Sequence, residues 1–190
     1  MATSLTPLKT RAARGVSTPR PRVISASARS TIILGIDPGL ERTGYGVIVA
    51  PQGRVLDAGL FRSSTKAPLP ERLTELASGL EEVIAEHRPG LVAVEDLYAH
   101  YKHPRTAILM GHVRGVLLYL AAKNRIDVLN LPSTRVKRFL TGNGHASKDQ
   151  MQRAIMTTLS LPRLPEPSDV ADALAVAWCA TSEIRKSNRS

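Results

Sequence analysis

Residues 31–37, TIILGID, form a continuous β-branched and aliphatic run that closes on an acid and is followed at once by Pro38–Gly39. A strand with no polar face must sit inside a sheet covered on both sides. Its last residue, Asp37, is then a carboxylate at the mouth of the core. The segment GLVAVEDL at 90–97 repeats the pattern, with Glu95 near its end. In an open α/β sheet, chemistry gathers just outside the carboxyl ends of the strands. If the two strands are parallel neighbours, Asp37 and Glu95 come side by side. Either acid alone could be an ordinary hydrogen-bonded strand end. Two together, each flanked by apolar residues, are costly unless paired or bound to metal.

The remaining pattern predicts the frame around them. GYGVIVA (44–50) and RVLDAGLFRS (54–63) read as two further strands joined by a Pro51–Gln52–Gly53 turn. Residues 69–88 carry Leu69, Leu73, Leu76, Leu80, Val83 and Ile84 at helical period. A long helix is expected over 105–123 and a short strand at DVLNL (127–131). Ser133 opens a short basic helix, Ser147 and Gln150 form a capping box for the next, and the last helix starts near Ser168. Three strands followed by alternating helix and strand predict an α/β fold with a mixed sheet. A chain of 190 residues suits one domain with a sizeable core.

The last helix raises the question of charge again. In PSDVADALAVAW (167–178), Asp169 and Asp172 stand three apart with no Lys or Arg in the stretch. Residues so spaced share one side of a helix, with Cβ atoms roughly 5–6 Å apart. The helix dipole, with Ser168 as N-cap, accounts for Asp169. It accounts less well for Asp172, which faces an Ala-Leu-Ala-Val stretch. Four carboxylates without a matching Cys or His cluster describe an all-oxygen site, suited to Mg²⁺ or Mn²⁺ and not to Zn²⁺. Two such ions about 3.5–4 Å apart can activate water and stabilise the leaving oxygen in phosphodiester cleavage.

Basic residues supply the complement. Of the net charge of +10, six come from Lys9, Arg11, Arg14, Arg20, Arg22 and Arg29, in a 30-residue segment with no acid. Residues 1–30 lack hydrophobic periodicity and read as a disordered basic extension, with a composition that overlaps transit peptides. Residues 31–190 are basic too, so a polyanionic partner is expected. Lys137 lies in RVKR beside Arg135 and Arg138, which could equally be a solvated face. Lys148 follows GNGHAS, a loop whose exposed amides suit a phosphate. The loop YAHYKHPR (98–105) interleaves Tyr98 with Lys102 and Arg105, a mixture suited to stacking on bases and pairing with phosphates. His87, His112 and His145 read as surface or cap residues, and Trp178 as core. Gly111 and Gly115 could bring two copies of the 105–123 helix together or pack that helix on its own sheet. A lone Cys179 excludes an internal disulfide, and no apolar stretch approaches the ~20 residues of a membrane span.

Four segments together, ILGIDPGLERTGYGVIV (33–49), LVAVEDLY (91–98), RVKRFLTGNGHASKDQM (135–151) and SDVADALAVA (168–177), resemble the RuvC family of Holliday-junction resolvases. The resemblance covers essentially all of residues 31–190, in order. It implies a ribonuclease-H-like fold, a five-stranded mixed sheet with helices on both faces. It further implies a homodimer that cuts four-way DNA junctions by paired symmetric nicks, in homologous recombination and DNA repair. It assigns Asp37, Glu95, Asp169 and Asp172 as catalytic and metal-binding acids for two Mg²⁺ or Mn²⁺ ions. Lys137 and Lys148 then lie near the scissile phosphate, Lys148 among the catalytic residues, and Tyr98 is a wedge at the junction centre. A branch-migration complex of RuvA and RuvB type is the implied partner, and the bacterial cytoplasm the implied location, with organellar import through residues 1–30 the alternative. The rival is a ribonuclease-H-like nuclease acting on RNA or RNA–DNA hybrids. An actin-like ATPase would need a longer two-lobed chain, and a pure binding module would have no use for four acids.

Overall fold

The computed structural model describes residues 31–96 and 104–187. The first strand, β1 (Thr31–Asp37), pairs antiparallel with β2 (Arg42–Ala50), which pairs antiparallel with β3 (Arg54–Arg62). After helix α1 (Leu69–His87), strand β4 (Leu91–Glu95) returns parallel to β1. Helix α2 (Pro104–Lys123) then leads to β5 (Asp127–Leu131), parallel to β4. Three helices finish the domain: α3 (Ser133–Thr141), α4 (Lys148–Thr158) and α5 (Ser168–Ser187). The sheet order is β3-β2-β1-β4-β5, so the two apolar runs are adjacent, central and parallel.

Alternation along the strands divides the core. Leu34, Ile36, Val47, Val92 and Val94 face α1 and α2, while Ile33, Ile48, Leu91 and Ala93 face α3, α4 and α5. The turn before β3 forms as expected, with Gly53 at φ +78°, a conformation that penalises any side chain. Helix α4 is capped by the reciprocal bonds expected of Ser147 and Gln150.

Helix α5 lies almost in contact with the strand backbones because small residues meet on both sides. Ala171, Ala173, Ala175 and Ala177 are buried in it. A Cβ on Gly44 would stand 2.0 Å from the Asp169 carbonyl oxygen, and one on Gly35 would stand 2.3 Å from that of Ala173. This close seat brings the first turn of α5 to the end of β1. Ser168 is the first residue of that helix and not its cap: Val170 N–H donates to Pro167 O at 3.0 Å.

Three further expectations are refined. Trp178 is half-buried against the Gly53 turn. His87 closes α1 largely buried, with Nε2 3.5 Å from Asp57 Oδ2, and is no free surface residue. Among the described residues, Gly111 and Gly115 meet nothing within 4 Å, so they do not pack α2 on its own sheet.

Candidate functional site

The register of the two central strands sets the site. Ile36 pairs with Val94, so the next residues, Asp37 and Glu95, are neighbours at one sheet edge. The short α5–sheet distance adds Asp172. These three carboxylates line one cavity of about 220 Å³ together with Ser133, Val136, Lys137, Lys148 and Met151. A larger hollow of about 460 Å³ between β3 and residues 161–166 is mainly apolar, with Arg163 and Glu166 its charged residues. The candidate site is placed at the acids and not at the larger space.

Burial and crowding show in the carboxylates themselves. Asp37 is raised from 3.8 to about 8, first by burial and then by the charges of Asp172, Glu95 and Asp169, with Lys148 opposing. Burial also raises Glu95, while a hydrogen bond from Ser133 and the nearby Lys137 pull it back. Asp172 is raised by burial, against Lys148 and Lys137. Asp169 does not line the same cavity. It faces a second hollow of about 430 Å³, and its Oδ2 lies 4.0 Å from Arg42 Nε. The four acids are therefore three plus one.

The cations expected from sequence divide likewise. Lys137, on α3, and Lys148, the first residue of α4, reach the cavity, and Lys148 Nζ also donates to Ser168 Oγ at 3.4 Å. Arg138 is exposed beside Gly144 in the following loop. Arg135 is taken up by Glu183 on α5 and not by the cavity. Arg105 is exposed on the first turn of α2, while Tyr98 and Lys102 lie outside the described residues. His112 and His145 are exposed.

Sequence reasoning overlooked three contributors. In the sequence Ser133 marks only a helix start, although it follows the third parallel strand and so stands at the same edge. Arg114 braces that edge, donating to Glu95 O at 3.2 Å, to Asp96 Oδ1 at 3.3 Å and to Asn130 Oδ1 at 2.6 Å. Its signal is that it carries the single charge between residues 106 and 122, the middle of that helix. Arg42 gave no pattern of its own, because only the fold places it against Asp169.

The donor set fits a hard divalent cation. It is all oxygen, partly buried and left protonated or repelling when no cation balances it. Among the described residues, no three His, Cys, Asp or Glu side chains stand, as placed, where they could share one metal ion.

The family model described as "Crossover junction endodeoxyribonuclease RuvC" matches residues 33–180. The chain belongs to the RuvC family. A RuvC of Rhodopirellula baltica is 48% identical over 159 residues, covering 83% of this chain and 89% of the relative. One of Desulforamulus reducens is 44% identical, covering 78% and 91%. Among solved structures, Thermus thermophilus RuvC in complex with a Holliday junction substrate superposes with a TM-score of 0.74 at 30% identity, covering 83% of this chain and 97% of that one. The fold is thus the ribonuclease-H-like RuvC architecture, and the matched segment contains all four acids with Lys137 and Lys148. Among the described residues, no helix is long and apolar enough to cross a membrane.

Proposed function

We propose that the protein is a structure-specific endonuclease that resolves four-way DNA junctions by paired symmetric nicks, in recombination and repair. The observation that carries this reading is the single cavity in which three mutually repelling carboxylates face two lysines. That cavity can take a divalent cation and a phosphodiester together.

Asp37, Glu95 and Asp172, with Asp169 beside them, would hold Mg²⁺ or Mn²⁺. Bound there, one or two such ions supply the Lewis acidity that activates water and stabilises a departing oxygen. The chain's own residues do the rest. Ser133 fixes the Glu95 carboxylate by donating to it, and Arg114 holds the backbone that carries it. Lys137 and Lys148 neutralise the phosphate entering the cavity. The apolar floor of Val136 and Met151 limits solvent beneath it. Tyr98, Lys102, Arg105 and Arg138 are assigned to the DNA around the cut, and Arg135 to bracing α3 on α5.

A synthetic four-way junction, a matched linear duplex and an RNA–DNA hybrid, each with and without Mg²⁺ or Mn²⁺, test the reading. Paired nicks confined to the junction and abolished by chelator are the expected result. Preferred cutting of the hybrid would transfer the site to the ribonuclease-H-like alternative. Binding without cutting in either metal would remove the catalytic assignment.

Two symmetric nicks call for two equivalent sites, which a twofold homodimer supplies. Helix α2 carries the surface for it. Ile108 (62% exposed), Gly111, Gly115, Leu118 (39%) and Tyr119 (64%) share one stripe, and neither glycine is met by another of the described residues. Gly115→Arg is expected to convert a dimer to a monomer in analytical ultracentrifugation without changing the circular dichroism spectrum. A variant that sediments with the parent would displace the interface from α2. A branch-migration motor of RuvA and RuvB type is the natural source of the junction, and the bacterial cytoplasm the place of action.

A further inference from the structure

The sheet edge that carries the acids also carries an ordered row of cations. Asp37 pairs with Gly44 and Arg42 with Arg62, so β2 and β3 run two residues past the level of Asp37. At roughly 3.3 Å per residue, both arginines stand about 6–7 Å farther out than the acid. Read across the sheet, the edge presents Arg62, Arg42, Asp37 and Glu95, and after Leu131 the start of α3 with Ser133 and Lys137. The charges run plus, plus, minus, minus, plus.

Arg42 and Arg62 are direct cross-strand partners, an arrangement in which like charges destabilise a sheet. Arg42 has only the loose 4.0 Å approach to Asp169, and its side chain is 49% exposed. Arg62 is exposed in a hollow of about 610 Å³ shared with Lys148, Gln152, Ser168 and Glu166. Arg42 lines the hollow with Arg72, Glu41 and Asp169, where Arg72 is tied to Ser63 Oγ at 3.1 Å. Glu41 and Glu166 are both exposed. Among the described residues, Arg42 is paired only at that long distance and both arginines are exposed beside an acid cleft, so they pose the same question as the acids did. The missing partner here is an anion.

We propose that the cleaved DNA strand lies along this edge, crossing the strand ends from α3 towards β3. Arg42 and Arg62 then hold its backbone phosphates on the far side of the acids from Lys137. Three strand spacings separate Glu95 from Arg62, about 14 Å. At about 3.4 Å of axial rise per nucleotide, that spans roughly four nucleotides on one side of the cut. The proposal rests on the junction-resolvase reading and adds two contacts and a strand path to it.

The test uses full-length protein carrying Asp37→Asn, so that binding is read without cutting, and a fluorescent four-way junction titrated over a range of salt. Arg42→Gln with Arg62→Gln is expected to weaken binding about thirtyfold and to lower the slope of log affinity against log salt by about two. Arg54→Gln, an exposed arginine at the opposite end of β3, leaves affinity and slope at the parent's values. Neutral methylphosphonate linkages placed within four nucleotides on one side of the cut weaken the parent and leave the double variant unaffected. Retained affinity and slope in the double variant would overturn the proposal, as would an equal loss in Arg54→Gln or equal methylphosphonate effects in parent and variant. A parent that does not prefer the junction over duplex would instead overturn the resolvase reading, and the strand path with it.

Discussion

Asp37→Asn is expected to lower junction cleavage by at least about a thousandfold while the variant folds and binds the junction as well as the parent. Asp37 stands at the centre of the sheet edge, between Gly44 of β2 and the β4 strand that ends in Glu95. Its carboxyl is pushed up to about 8 by burial and by three neighbouring acids. At neutral pH and without a divalent cation, that side chain is therefore largely neutral already. Asparagine has the same shape and the same neutrality, so the fold has little to lose. What the variant cannot do is become the anion that a metal ion requires. Loss of one ligand from a metal-assisted reaction removes charge stabilisation worth several kcal/mol, and a thousandfold in rate is about 4 kcal/mol. Single-turnover cleavage under excess enzyme separates this from binding, which band shifts read independently. A variant cutting within tenfold of the parent would take Asp37 out of the reaction.

The frame of this site was legible in the sequence because strands and acids leave strong local signals. Two apolar runs closing on Asp37 and Glu95 gave both the central parallel pair and its carboxyl edge. The start of the last helix near Ser168 was legible too, but its close seat on the sheet was not, because that depends on Gly35 and Gly44 lying opposite it. The division of the acids was not legible. Asp169 and Asp172 differ by about one helical turn, and only the seat of α5 on the sheet decides that they line different hollows. The fate of the RVKR basic cluster was equally hidden. Lys137 reaches the cavity, while Arg135, two residues earlier, is captured by Glu183 nearly fifty residues away. Such partners are set by tertiary packing, which composition and spacing do not encode. Ser168 shows the same limit at short range, since Pro167 O takes the first helical bond and leaves the serine to Lys148.

Without divalent cation, the protein is expected to lose stability as pH rises from about 4 to about 8, and Asp37→Asn is expected to remove much of that loss. The sign follows from the direction of the shift. Asp37 titrates near 3.8 when unfolded and near 8 when folded. Between those values the native state holds a proton that the unfolded chain has released, so unfolding becomes easier as pH rises. Below about 4 both states are protonated and the contribution is complete; above about 8 both are ionised and it is lost. Glu95 and Asp172 are raised as well and act in the same direction. A group displaced this far is worth at most about 6 kcal/mol, and sharing among coupled acids brings the expected loss to the order of 2–5 kcal/mol. Urea unfolding across this pH range in chelator, for parent and variant side by side, isolates the term from other titrating groups. Mn²⁺ or Mg²⁺ should reverse the trend, since ligation needs the anions and stabilises only the folded state, most strongly at the alkaline end. Parallel pH profiles for parent and Asp37→Asn, with no metal-induced gain at pH 8, would mean that these carboxylates are ionised and balanced by groups other than a cation. The acid cluster would then be a structural feature of the sheet edge and no longer a reason to place metal chemistry there.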